Sequence, residues 1–126
     1  MLLGRAGCAL LLWGLAGLVH PESARKAEWL MRQNPEAFTL QLITVSNRTQ
    51  LDKLVQAQSQ PDNFASFRVQ GQDRLLYVLT YGVFEDPGKA EAIRADLADD
   101  MSLAPDQFWI RRLRSVQRAI RTTLQQ

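Results

Sequence analysis

Residues 74–84 read RLLYVLTYGVF, a run dense in β-branched, aromatic and leucine side chains with no proline. This is the strongest strand signal in the chain. Just before it, QGQD at 70–73 has the composition of a turn, and FASFRVQ at 64–70 reads as a second, weaker strand. A short turn between two strands makes a hairpin. Just after it, Asp86 is placed to cap a helix whose first position is Pro87, where the missing N–H costs little. Ala90, Ile93, Leu97 and Met101 then recur at helical spacing and define the buried stripe of that helix. Beyond Pro105, FWIRRL at 108–113 is a further strand. Phe108 and Ile110 share one of its faces; Trp109, Arg111 and Leu113 share the other. Val116, Ala119, Ile120 and Leu124 suggest a short amphipathic C-terminal helix that packs on the domain.

Upstream of the hairpin, FTLQLITV at Phe38–Val45 reads as another strand, with Leu40 and Leu42 on one face and Thr39, Gln41 and Ile43 on the other. Asn47 and Gln50 have capping-box spacing, and Leu51, Leu54 and Val55 give one apolar helical stripe that ends near Pro61-Asp62-Asn63. The order is strand, helix, strand, strand, helix, strand. This predicts an α+β chain of the βαββαβ split-βαβ type, ferredoxin-like or RNP-like, with a four-stranded antiparallel sheet. Each helix has a single apolar stripe, so both must cover the same sheet face. The second face is expected to be open or partly covered, and an open face carrying aromatic and polar groups is a natural binding surface.

The chain has 126 residues, one domain's worth, with 46% hydrophobic and 22% charged residues, which excludes wholesale disorder. Its net charge of +2 does not by itself imply a polyanion partner. The only histidine, His20, and the only cysteine, Cys8, lie at the N-terminus. There, CALLLWGLAGLV at 8–19 is uncharged, too short against the about 20 apolar residues of a bilayer span, and of the length of a secretory signal core. Residues 1–24 are therefore read as a signal peptide or membrane-anchor leader, 25–35 as a short connector that pins Trp29-Leu30-Met31 on the domain edge, and 36–126 as the working domain. That domain has no His or Cys, which excludes Cys/His catalysis, His-based general bases, His or Cys metal sites and disulfides. The roughly 15 residues between the apolar run and the domain reach on the order of 50 Å at most, so a retained leader would keep the domain close to the membrane.

Four stretches, in order and with consistent spacing, resemble one family. Trp29-Leu30-Met31-Arg32-Gln33-Asn34-Pro35 followed by Phe38-Thr39-Leu40-Gln41-Leu42 is similar to the WLLxQxPxxYTLQL opening of SPOR (sporulation-related repeat) domains. Tyr77 to Phe84, YVLTYGVF, resembles their WYVVxYGxF strand; Lys89-Ala90-Glu91-Ala92 falls in their alanine- and glutamate-rich second helix; Phe108-Trp109-Ile110-Arg111 through Val116-Gln117 resembles their PWxRxxxxVQ close. The likeness spans roughly residues 29–120. It implies the βαββαβ fold and a non-catalytic module that binds peptidoglycan glycan strands, preferring strands denuded of stem peptides at the division septum. The implied ligand-binding residues are Gln41, Thr44, Leu76 and Trp109. Leu76 stands where close relatives have tryptophan, so it can pack but offers no flat ring to a sugar.

The chemistry of these side chains suits a neutral glycan: an indole to stack on a sugar's C–H face, and amide and hydroxyl groups for its hydroxyls and amides. Each also has a plainer reading, Gln41 and Thr44 as solvated strand positions and Trp109 as packing beneath the C-terminal helix. Tyr77, Leu79 and Tyr81 read mainly as packing. Arg111, Arg112, Arg114, Arg118 and Arg121 read as a solvated face balancing the acidic residues 85–106, or as contacts to anionic lipid or to carboxylates of intact peptidoglycan. Glu85-Asp86 and Asp99-Asp100 sit at helix ends, where acids cap and solvate. The expectation is thus a protein of the periplasm or the extracytoplasmic face of a bacterial inner membrane. No catalytic residue, cofactor, metal or nucleic acid is expected. Its partners would be glycan strands and divisome or envelope proteins, with membrane contact only through the leader. The alternatives are a protein-interaction module of an envelope complex, an RRM-like nucleic-acid binder, which would lack the usual basic-Gly-aromatic signature on its third strand, and a carboxylate glycosidase.

Overall fold

The computed structural model describes residues 24–124; the proposed leader, apart from Ala24, lies outside them. The elements are α1 (Ala27–Met31), β1 (Phe38–Val45), α2 (Arg48–Gln56), β2 (Phe64–Gln70), β3 (Leu75–Phe84), α3 (Pro87–Met101), β4 (Trp109–Arg112) and α4 (Leu113–Leu124), with 3₁₀ turns at Pro61–Asn63 and Pro105–Gln107. The sheet has the order β2-β3-β1-β4 with every neighbouring pair antiparallel. This is the split-βαβ arrangement read from the sequence: β3 inserts between β1 and β2, the two strands joined through α2. Both expected caps form. The Asn47 side chain accepts from the Thr49 and Gln50 N–H groups, and Asp86 accepts from Lys89 N ahead of Pro87.

The sheet is covered on both faces. On one, Leu40, Leu42, Leu79, Phe64 and Phe108 pack against Leu51 and Val55 of α2 and Ala90, Ala98 and Met101 of α3. Along α3 the deepest positions are thus Ala90, Ala98 and Met101, and Ile93 and Leu97 are only partly buried. On the other face, Ala65, Phe67 and Val78 pack against Leu30 of α1 and Leu113, Val116 and Ile120 of α4. Trp29-Leu30-Met31 is therefore more than an edge contact, since Leu30 is fully buried in a second core. Gln117 joins the two helices there, donating to the backbone oxygens of Leu30 (3.1 Å) and Gln33 (2.9 Å). β4 runs into α4 without a linker, so the first N–H groups of α4 find no capping side chain. They are satisfied instead by the chain entering β1: Leu113 N donates to Ala37 O and Arg114 N to Pro35 O. Ahead of α1, Arg25 pairs with the outer edge of β2 through bonds to Phe64 O and from Ser66 N.

Two bulges depart from strict alternation. Between the pairs Gln41↔Thr80 and Ile43↔Leu79, β1 advances two residues and β3 only one. The extra residue shifts every later side chain to the opposite face. Ile43, expected beside Gln41, packs instead with Leu40 and Leu42 in the first core, and Thr44, opposite Val78, joins the face of Gln41. In β3 the extra residue lies near Gly82, which adopts φ +72°. The buried Thr39 hydroxyl donates to the carbonyl oxygens of Gly82 (2.7 Å) and Tyr81 (3.3 Å) beside it. Among the described residues no helix is long and apolar enough to cross a membrane.

Candidate functional site

Helix α4 does not cover the whole of its sheet face. Beside it, β1 and β4 leave a cleft of about 310 Å³ lined by Gln41, Thr44, Gln107 and Trp109. A second hollow of about 450 Å³ lies between α4 and the end of β2, lined by Val69, Gln70, Arg111, Ser115 and Arg118. The register explains why these residues meet. Gln41 is the direct partner of Trp109 and Thr39 of Arg111, so all four project on one face. Leu76, opposite Val69, is on this face too, two residues along β3 from Val78, the partner of Thr44.

Gln41, Thr44, Leu76 and Trp109, the residues singled out in the sequence, thus share one sheet face. Their surroundings differ. Trp109 is 51% exposed, so it does not pack beneath the C-terminal helix. Thr44 is exposed and Leu76 half-buried. Gln41 is only 8% exposed and so is not a solvated strand position.

What occupies Gln41 is Arg111, whose Nη1 donates to Gln41 Oε1 at 2.7 Å. The other terminal nitrogen, Nη2, donates to Ser115 Oγ at 2.7 Å, and the guanidinium carbon lies 5.1 Å from the centre of the Trp109 ring. Arg111 therefore ties strand β1, strand β4 and helix α4 together, and its burial pulls the guanidinium below its ordinary pKa. Of the two readings of the arginine run, a solvated face does not hold for Arg111; its position two residues from Trp109 on one strand is the signal that places it with the indole. Nor does that arginine face balance the acidic helix, because α3 and α4 lie on opposite sides of the sheet. Arg112 and Arg114 instead share Glu36, and Arg112 also stacks on Phe38.

The acid pairs lie elsewhere. Asp86 is engaged as a helix cap, and Asp99 and Asp100 are exposed near the end of α3, on the far side of the sheet from Trp109. Around Trp109 the groups on offer are an indole face, an amide, hydroxyls and a cation, a set that binds by stacking and hydrogen bonding. Among family models, curated proteins and solved structures, no match to this chain is found.

Proposed function

We propose that this chain is a non-catalytic module that binds the glycan strands of peptidoglycan in the bacterial cell envelope, with a preference for strands stripped of their stem peptides. The observation that carries the reading is the pairing of Gln41 with a half-exposed Trp109 across adjacent strands, beside an open cleft of about 310 Å³. A saccharide offers apolar C–H faces that stack on an indole and hydroxyl and amide groups that pair with amide and hydroxyl side chains. The SPOR-like order of motifs supports the same ligand. In this reading the protein acts outside the cytoplasm, at the septum, and its leader delivers or tethers it there.

The test is sedimentation of the purified protein with intact cell-wall sacculi and with sacculi treated with an amidase that removes the stem peptides. Co-sedimentation, stronger with the treated wall, is expected. Absence of the protein from both pellets would overturn the proposal, and release of soluble sugar from either wall would replace it with the glycosidase alternative.

A further inference from the structure

Arg111 differs in its company from the five arginines that form ion pairs among the described residues. Arg112 and Arg114 share Glu36, Arg94 holds Glu91, Arg48 reaches Asp52 and Arg74 reaches Asp73. Arg111 is half-buried on the sheet, and its partners are a glutamine oxygen, a serine oxygen and an indole face, all neutral. A half-buried cation without an anion is costly and is a poor choice for stability alone. Its planar fork has further N–H donors beyond the two used, and it is held from opposite sides in one orientation. A second feature points the same way. Gln41 is more than nine-tenths buried, yet its amide nitrogen donates to no protein group among the described residues, although the side chain lines the cleft at Trp109. Gln41 lines the cleft at Trp109 and Arg111 the hollow beside α4, and the hydrogen bond between them puts their unused donors, one carrying full positive charge, on either side of one contact. Their complement is an acceptor-only anion with two oxygens, which is a carboxylate.

We propose that Arg111, with Gln41 beside it, reads a carboxylate on the bound strand, and that this carboxylate is the lactyl group of N-acetylmuramic acid. The inference rests on the glycan reading above. In an intact strand the lactyl carbonyl is a neutral amide joined to the stem peptide. Hydrolysis adds water across that bond, leaving a lactyl carboxylate on the sugar and an amine on the released peptide. The cut therefore both removes bulk and creates a negative charge, and Arg111 responds to the charge. The ligand is a weak polyanion rather than a neutral glycan, and selectivity for stripped strands comes from one guanidinium.

The experiment compares the full chain's equilibrium binding to stem-free oligosaccharides of alternating N-acetylglucosamine and N-acetylmuramic acid, with the lactyl group either free or converted to its methylamide. The free acid is expected to bind about tenfold or more tightly than the methylamide at low salt. Arg111→Gln should bind the two forms alike and Arg111→Lys should recover part of the discrimination. Because the ligand is altered rather than the protein, the wild-type comparison stands even if a variant folds poorly. Equal affinity of the wild type for the two forms would overturn the proposal while leaving glycan binding intact. So would an oligosaccharide with intact stems binding as tightly as the free acid, since its carboxylates lie on the peptide. Failure of the wild type to bind any of the three would instead remove the glycan reading on which the proposal rests.

Discussion

Gly82 and Trp109 illustrate two kinds of constraint on a single residue. Gly82 sits at φ +72° in the β3 bulge, and a Cβ placed there would lie 2.7 Å from the Phe84 ring. Both backbone and space exclude a side chain, so Gly82→Ala should destabilise the fold by roughly 1–3 kcal/mol, read from urea unfolding. Trp109 is the opposite case. With about half its surface in solvent, Trp109→Ala should leave the melting temperature within a few degrees of wild type while weakening glycan binding severalfold, as isothermal titration would show. Leu76→Trp adds a ring on the same face, and an aromatic contact of about 0.5–1.5 kcal/mol predicts tighter binding in the same titration. Trp109, Gln41 and Thr44 could be singled out only through the resemblance to SPOR motifs, because each alone reads as an ordinary strand or packing position. Arg111 was harder to see, because as one of several arginines close together it resembles an ordinary solvated surface, and its one local signal is that it shares a strand face with Trp109. The burial of its guanidinium against Gln41 and Ser115 then sets it apart from Arg112 and Arg114.

At the level of elements, the ends were easier to read than the interiors. Asn47 and Asp86 announce the starts of α2 and α3 by side-chain chemistry that acts within three residues, so local sequence suffices. Asn47→Ala should cost about 1 kcal/mol of stability, measured by denaturant unfolding, because the Thr49 and Gln50 N–H groups lose their acceptor. The bulge in β1 leaves only a trace. In FTLQLITV the alternation changes phase at the adjacent apolar pair Leu42-Ile43, but the pairing that makes this an extra residue is visible only against β3. That shift corrects the face of Ile43 and brings Thr44 beside Gln41. Helix α4 shows a similar limit: its apolar stripe is plain in the sequence, but its start is fixed by carbonyls of Pro35 and Ala37, far upstream in the chain.

Across the molecule, the sheet topology followed from the order of elements, but the second core did not. Only Leu30, Met31 and Trp29 hinted that the connector folds back, and nothing local pairs it with α4. The two are matched through buried Gln117 and through Leu113, Val116 and Ile120. A chain ending at Arg112 should therefore lose more than a peripheral helix. It would expose Phe67, Val78 and Leu30 together, and should melt without a cooperative transition and bind a hydrophobic dye such as ANS. The same architecture separates charge. Acidic α3 and arginine-rich α4 occupy opposite sides of the sheet, a polarity that the net charge of +2 conceals.

The short pairing of Arg25 with β2 has a mechanical consequence. It brings the incoming chain along the outer margin of that strand, whereas the indole of Trp109 stands on β4, three inter-strand spacings away, or on the order of 14 Å. When a polymer is held at the indole and the upstream chain is anchored, tension crosses from β4 through β1 and β3 to β2. The ladder hydrogen bonds lie along that line, so the rungs of the sheet carry the pull in series.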